Sequence, residues 1–168
     1  MNSPFNYNFR VSQIQHEKHD GLDIVPLEDD TVHSTINGKV IFAGWENPSN
    51  HSQGFGQYVK IKKDGTDDYY YFGHLAKINV KTGDTVKITD NIGVCGTTGH
   101  STGKHLHYCC RVYGVKGNER NISEISGIPN KIGVYNDGYK PKENADVPRE
   151  TNHIKLMIND TIVYEGDI

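Results

Sequence analysis

Short runs of alternating apolar and polar residues are the main pattern along this chain. Such runs are typical of half-buried β-strands, because successive side chains of a strand point to opposite faces of its sheet. No window of about 12 residues or more keeps the apolar period of a helix. We therefore expect a mainly β fold with strands in the following runs: TINGKVIFAGW, GQYVKIKK, DYYYFGHL, KINV, TVKI, IGVCG and HLHYCCRVYG.

Turn-forming residues separate these runs. Asn37-Gly38 predicts a two-residue hairpin turn inside the first run, because asparagine and glycine tolerate the positive φ of such turns. Further turn signals lie at 63–65, 82–84 and 96–99. Glycine is abundant (18 residues) and proline is scarce (6 residues), which favours strands and turns over helices.

The character of the chain changes near residue 136. The segment NDGYKPKENADVPRE is polar, charged and interrupted by proline, which is typical of a linker. Two short alternating runs follow, on either side of Asn159-Asp160. We predict a main domain at residues 1–135, a linker at 136–150 and, at 151–168, a β-hairpin appendage or the start of a truncated module.

Composition and charge narrow the classes of function. The 168 residues include 18 Lys+Arg and 21 Asp+Glu, for a formal net charge of -3, and no basic stripe indicates a nucleic-acid partner. No apolar run reaches the roughly 20 residues that span a bilayer, so membrane insertion is not expected. The start of the chain lacks the pattern of a secretory signal, so either export follows another route or the natural chain is longer.

The three cysteines, Cys95, Cys109 and Cys110, are too few for a disulfide framework. We expect them to be small buried hydrophobic residues. The two neighbours would point to opposite faces of a strand, so a disulfide between them is not expected.

The nine histidines suggest a different chemistry. His19 and Asp23 are four residues apart, a spacing that places both on one face of a helix or of a strand, although Gly21 argues against a helix. His105 and His107 share one face of a strand. A catalytic zinc site takes three protein ligands and leaves the fourth corner for water, so two histidines and an aspartate match its donor count.

Four motifs follow one another in order: HDGLD, YFGHL, VKTGDTVKITDNIGVCGTTGHSTG and HLH. In this order they resemble the lysostaphin/LytM-type zinc endopeptidases, which cut peptidoglycan peptides. The resemblance covers about Phe9 to Tyr113. It implies an antiparallel β-sheet domain with a metal-bearing groove walled by loops, and one Zn²⁺ per chain.

Carried over position by position, the resemblance implies the zinc ligands His19, Asp23 and His107. It also implies two active-site histidines that do not bind the metal, His74 and His105. Taken alone, His74 could equally be a half-buried residue at the end of a strand. Zinc lowers the pKa of its bound water to about 7. The two other histidines would orient or deprotonate that water, steady the oxyanion and protonate the leaving amine, in an order that the sequence leaves open.

The chain departs from the family pattern at three points. Some relatives have a tyrosine upstream of the first ligand, for which Tyr7, Tyr70 and Tyr71 are the candidates here. Cys109 stands where many relatives have an acidic residue, and we expect it to be a packing residue. Lys104 stands where proline or alanine is common, and is expected either to be merely exposed or to guide an anionic stem peptide.

The leading interpretation is a zinc endopeptidase that cleaves stem or cross-bridge peptides of peptidoglycan at the bacterial cell wall. The alternative is a catalytically silent domain of the same fold that binds wall peptides or a protein partner. A phage or prophage origin would account for the missing signal, with a phage particle or further modules of a longer chain as partners. The other histidines are given no catalytic or metal-binding role: His16, His33, His51, His100 and His153.

Overall fold

A computed structural model describes residues 2–136 and, beyond them, the backbone of two strands at 153–158 and 161–167. Antiparallel strands dominate this part of the chain, so the expected mainly β fold is confirmed. The elements are β1 (Phe9–Gln13), β2 (Gly21–Pro26), β3 (Thr31–His33), β4 (Gly38–Trp45), β5 (Gln57–Lys63), β6 (Asp68–Gly73), β7 (Leu75–Ile78), β8 (Thr85–Val86), β9 (Asn91–Cys95), β10 (Leu106–Val112), α1 (Ile122–Ser126), β11 (Gly133–Tyr135), β12 (His153–Ile158) and β13 (Thr161–Asp167).

The large sheet has eight strands in the order β11-β1-β2-β10-β6-β5-β4-β8, and a small sheet has the order β3-β9-β7. Strand β10 lies between β2 and β6, and His107 is paired with Asp23 on one side and with Gly73 on the other. This register brings together three motifs that are far apart in sequence. HDGLD, YFGHL and HLH therefore meet at one place on the sheet.

The side-chain alternation of β10 decides which residues face the site. Leu106, Tyr108 and Cys110 belong to the hydrophobic core. Because side chains alternate along a strand, His107 and Cys109 lie on the opposite face. The buried hydroxyl of Tyr108 is bonded to the hydroxyl of Thr35 at 2.8 Å, so the core has no unpaired polar group there.

The predicted hairpin at Asn37-Gly38 is wrong. The runs on either side of this turn belong to different sheets, since β3 pairs with β9 whereas β4 pairs with β5 and β8. Neither residue has the positive φ of a hairpin turn. A Cβ at Gly38 would lie 2.2 Å from the carbonyl oxygen of Lys62, so glycine is needed there for close approach of β5.

The short helix α1 was not predicted, because five residues are too few to show a helical period. It is defined by its ends. The Asn121 side chain accepts from the backbone N–H groups of Ser123 and Glu124, and Gly127 ends the helix at a φ of 75°. No helix in the described part of the chain is long and apolar enough to cross a membrane.

Strands β12 and β13 pair in antiparallel register, with His153 opposite Asp167, and form a two-stranded sheet. The expected C-terminal hairpin is therefore confirmed. The predicted linker falls almost entirely on residues 137–152, which lie outside the described residues. The division into a main domain, a linker and an appendage stays a prediction.

Candidate metal centre and active site

His19 is set in place by the tight turn between β1 and β2. The backbone N–H and C=O groups of His16 and His19 bond each other in both directions at 2.9 Å. The Nδ1 of His19 donates to the carbonyl of Ile14 at 2.9 Å, so Nε2 is directed towards Asp23, whose Oδ1 lies 3.1 Å away. Asp23 is on β2, and His19 lies in the turn just before it. Of the two residues predicted to share one face of a helix or a strand, only Asp23 therefore lies on a strand.

His107 approaches Asp23 from the neighbouring strand. Its Nδ1 is 2.9 Å from Asp23 Oδ1, and its ring lies edge-on to that of His19 with the ring centres 4.8 Å apart. One ligand atom from each of His19, Asp23 and His107 lies within 4.8 Å of the other two. The structure thus brings together the three residues that the resemblance implied as ligands.

The chemistry of this donor set fits a zinc-type ion. Two imidazoles and a carboxylate are the three protein ligands of one kind of catalytic zinc site. Burial alone would raise the pKa of Asp23, but hydrogen bonds from His107 and His19 outweigh burial and hold it well below the usual range. The carboxylate is therefore ionised, as a metal ligand must be.

The remaining two predicted residues lie beside this cluster. The rings of His74 and His105 are 4.6 Å apart. His74 Nδ1 donates to the carbonyl of Thr98 at 2.7 Å, and His105 Nδ1 donates to that of Gly103 at 2.8 Å. Nε2 is the other nitrogen of each ring, and that of His105 is 3.6 Å from Asp23 Oδ2.

His74 has an unusual backbone and an unusual environment. Its φ of 62° is in the left-handed region, which a residue other than glycine seldom adopts. Burial lowers its pKa to about 4, so the ring is neutral near pH 7. A neutral ring that donates through Nδ1 has its lone pair on Nε2, and such a nitrogen can accept a proton.

A groove of about 610 Å³ contains all five residues. Its walls come from the loop between β4 and β5 and from the glycine-rich loop before β10, in agreement with the expected groove walled by loops. The two loops touch at their glycines, where a Cβ on Gly56 would lie 2.4 Å from the nitrogen of Gly99. Side chains beyond the predicted five also line the groove: Gln13, Lys18, Glu46, Phe55, His100, Ser101, Thr102, Arg111 and Lys116.

The residues at which the chain departs from the family have clear positions. None of the three candidate tyrosines is among the groove residues in the described part of the chain. Tyr70 belongs to the core, and Tyr71 donates its hydroxyl proton to the carbonyl of Gly114 at 3.1 Å. Lys104 is exposed and is paired with Asp30 at 2.7 Å.

The cysteines are free and buried, as expected from the sequence. Cys109 is completely buried beside His107, on the face of β10 that carries the site. Its expected packing role stays a prediction. In β10 it is paired with Gly21 of β2, so it fills the space next to the turn that holds His19.

Sequence reasoning missed two charged residues at the site. Asp20 Oδ1 is 3.0 Å from His107 Nε2, and Asp20 Oδ2 is 2.9 Å from Arg111 Nε. Burial alone would raise the pKa of Asp20, but hydrogen bonds from His107 and Arg111 hold it well below the usual range. The only available signal was the aspartate inside HDGLD, and the sequence does not show that it meets an arginine 91 residues away.

An antiparallel sheet that carries two histidines and an aspartate in one groove has the arrangement of a metallopeptidase. The chain matches the family model for peptidase family M23 over residues 17–121. It belongs to this family, which confirms the resemblance drawn from the motifs.

Known relatives agree with this assignment. Lysostaphin of Staphylococcus simulans is 41% identical over 90 residues, which are 54% of this chain and 17% of lysostaphin. The peptidoglycan DD-endopeptidase ShyA of Vibrio cholerae is 36% identical over 115 residues, which are 67% of this chain and 25% of ShyA. The chain thus spans a quarter or less of the length of these curated relatives.

Solved structures show the same fold. The catalytic domain of lysostaphin from Staphylococcus simulans superimposes with a TM-score of 0.61 and 27% identity, covering 73% of this chain and 94% of that domain. A zinc containing peptidase from Vibrio cholerae gives a TM-score of 0.55 and 30% identity, covering 67% of this chain and 36% of that one. The similarity covers a domain in both cases.

Proposed function

We propose that this chain is a zinc-dependent endopeptidase that hydrolyses peptide bonds in the stem or cross-bridge peptides of peptidoglycan. The observation that carries the proposal is the cluster of His19, Asp23 and His107, with ligand atoms within 4.8 Å of one another. Two further imidazoles, His74 and His105, line the same groove. Together these residues provide a metal centre and proton-transfer groups at one point.

The metal-binding residues of the proposed enzyme are His19, Asp23 and His107. Zinc bound there supplies a Lewis acid for the scissile carbonyl and lowers the pKa of a bound water. Hydrolysis of an amide also needs a base for the water and an acid for the leaving amine. His74 and His105 meet this need, because each is anchored to a backbone carbonyl through Nδ1, which leaves Nε2 for proton transfer.

The shape and charge of the groove support a peptide substrate. The groove is open, and Lys18, Glu46 and Lys116 line it together with the imidazoles. Charges of both signs suit a peptide that carries carboxylates and amines, as wall peptides do. The similarity to lysostaphin, an antimicrobial peptidase, and to ShyA, a peptidoglycan DD-endopeptidase, supports peptidoglycan as the source of the peptide.

The proposed place of action is the bacterial cell wall, where this substrate lies. A phage or prophage origin, and partners such as a phage particle or further modules, stay hypotheses. The alternative function is a catalytically silent domain that binds wall peptides. All five expected side chains lie in one groove, which favours the enzyme. A domain that only binds wall peptides would not need His74 and His105 as proton-transfer groups.

Digestion of purified peptidoglycan tests the proposal. Zinc-loaded protein and its His105→Ala variant are incubated with walls that have glycine cross-bridges and with walls that have direct D-Ala–diamino acid links. New free amino groups, new reducing ends and bound zinc are measured. Amino groups released by the intact protein alone, without reducing ends, would establish an endopeptidase and identify the bond class. Bound zinc with no amines from any wall would support the silent alternative.

A further inference from the structure

We propose that Asp20 and Arg111 are positioning residues for the metal ligand His107. Asp20 accepts the Nε2 proton of His107 and thereby keeps the Nδ1 lone pair directed at the metal position. Arg111 holds the Asp20 carboxylate in that orientation. The inference rests on the proposed metal centre and adds two residues to it.

Both nitrogens of the His107 ring have a carboxylate partner. Nδ1 is 2.9 Å from Asp23 Oδ1, and Nε2 is 3.0 Å from Asp20 Oδ1. Only Nδ1 faces the cluster shared with His19. A ring nitrogen binds a metal through its lone pair, so the proton of the neutral ring must be on Nε2 when Nδ1 is the ligand. Asp20 is placed to accept that proton.

The second oxygen of Asp20 is held by an arginine. Arg111 bonds Asp20 Oδ2 through Nε at 2.9 Å and also through Nη2. Both charged donors meet the same oxygen, so Oδ1 is left for His107, and hydrogen bonds between charged groups are stronger than neutral ones. The guanidinium carbon of Arg111 lies 5.3 Å from the ring centre of Phe55 and 4.8 Å from that of Tyr71. The arginine is therefore itself held between aromatic rings and the carboxylate.

All three side chains of this arrangement are largely shielded from water. His107 is 6% exposed and the side chains of Asp20 and Arg111 are 20% and 12% exposed. Water cannot readily replace a partner in such a place, so removal of the carboxylate leaves the Nε2 proton without an acceptor. The ring is then free to rotate or to change its protonated nitrogen. Groups that orient a metal-binding histidine in this way typically contribute 10–100-fold to metal affinity.

The same residues could instead be interpreted as a second metal site. One ligand atom each from Asp20, His107 and Cys109 also lie within 4.8 Å of one another. The guanidinium of Arg111 is already hydrogen-bonded to the Asp20 carboxylate, and its positive charge repels a second cation. The ring of His107 would also have to use Nε2 as a ligand and give up the proton that Asp20 accepts. The observations therefore favour a positioning role over a second site.

Zinc affinity is the readout that separates this role from simple stabilisation. The dissociation constant is measured by competition with a chromophoric chelator for the wild type, Asp20→Ala, Asp20→Asn and Arg111→Gln. We expect affinity to fall about 10–100-fold in Asp20→Ala. Asp20→Asn should recover part of the loss, because its amide oxygen can still accept the Nε2 proton. The zinc affinity of Arg111→Gln should lie between those of the wild type and of Asp20→Ala.

A matched control is the pair formed by Asp68 and Arg120. Here too an arginine Nε bonds a carboxylate oxygen at 2.9 Å, but the pair lies outside the groove. Asp68→Ala should leave zinc affinity within twofold of the wild type, even if it lowers the unfolding temperature. A spectroscopic readout accompanies the titrations. The Nε2–H proton of His107 should give a slowly exchanging imidazole signal in zinc-loaded wild type, and Asp20→Ala should lose it.

The outcomes distinguish the inference from the proposed function. Wild type that binds one zinc, with Asp20→Ala folded and equal in affinity, would overturn the positioning role and leave the metal centre intact. Two zinc ions in the wild type and one in Asp20→Ala would show a second site and would also overturn it. Wild type that binds no zinc would overturn the proposed function and this inference together. If Asp20→Ala does not fold, the isosteric Asp20→Asn and Arg111→Gln decide.

Discussion

At the scale of single residues, the imidazoles of the groove are anchored in two different ways. His19, His74 and His105 each donate through Nδ1 to a backbone carbonyl, so each presents Nε2. His107 is reversed, because it is bonded to the Asp20 carboxylate through Nε2 and presents Nδ1. A carbonyl acceptor fixes which ring nitrogen carries the proton, and a carboxylate acceptor does the same and also makes the ring a stronger base. This difference matches the different roles that we propose for them.

The two histidines of HLH should therefore respond differently to mutation. His107→Ala is expected to lose both bound zinc and peptidase activity, because it removes a proposed ligand. His105→Ala should keep one zinc per chain and lose activity by about 100-fold or more, the usual range for a proton-transfer group. Metal content by elemental analysis and cleavage of a wall peptide measure the two effects.

His33→Ala is the control for these variants. His33 bonds Asn6 and the carbonyl of Thr89 and is not among the groove residues. It should retain zinc and activity. Loss of zinc from His105→Ala would contradict the roles assigned to the two histidines.

Some site residues could be found from the sequence and others could not. His19, Asp23 and His107 stand in short motifs whose spacing is visible along the chain, and the structure brings them together. Asp20 and Arg111 have no such spacing, because they meet only when β2 lies against β10. Sequence patterns report local periodicity, whereas this pair depends on strand order, which the sequence does not show.

At the scale of elements, the contact between β2 and β10 builds the site. The register places His107 opposite Asp23 and Cys109 opposite Gly21. At Gly21 the two strands come so close that a Cβ would lie 2.4 Å from the carbonyl oxygen of Tyr108 and 2.7 Å from the Cβ of Cys109. The close packing of β2 against β10 therefore requires the glycine in HDGLD.

Gly21→Ala should separate β2 from β10 and destabilise the fold. Overpacking of this kind costs about 1–3 kcal/mol. For a domain of this size, that corresponds to a fall of roughly 2–12 °C in unfolding temperature. Thermal unfolding followed by circular dichroism measures the change, and zinc affinity should fall with it because His107 and Asp23 move apart.

Gly103→Ala is the matched control, since a Cβ there would meet no atom within 4 Å. It should unfold near the wild-type temperature. An unchanged unfolding temperature in Gly21→Ala would show that the strands can adjust without cost, and would contradict the packing argument.

Strands were easier to predict than their partners. The alternation in Gln57–Lys63 identified a central strand with one buried face. Leu106–Val112 was also identified, although residues 106–110 are buried on both faces, with the core on one side and the site on the other. The hairpin prediction at Asn37-Gly38 was wrong because the same residue pair suits both a hairpin turn and a close approach between strands. Only the pairing of β3 with β9 decides between them, and that contact joins residues about 60 positions apart.

At the scale of the whole molecule, the groove depends on the complete large sheet. Its proposed ligands and proton-transfer residues come from positions 19 to 107, so no short fragment contains the site. The family match ends at residue 121, yet the sheet continues to β11 at its edge. There Tyr135 is paired with Phe9, a core residue, and their ring centres are 6.2 Å apart. The smallest folding unit should therefore extend to about residue 135, as we predicted from composition.

A chain that ends at Asn136 should fold and cleave wall peptides like the full chain. It retains all eight strands of the large sheet, whereas β12 and β13 pair with each other in a sheet of their own. We expect an unfolding temperature within about 3 °C of the full-length value, which is a difference of about 1 kcal/mol. The same rate is expected on a short soluble wall peptide. A chain that ends at Pro129 is the comparison, because it removes β11 and uncovers Phe9, and it should lose about 1–3 kcal/mol or more. A fall of more than 10 °C in the chain ending at Asn136 would mean that the C-terminal segment belongs to the folding unit, and the boundary near residue 135 would then be wrong.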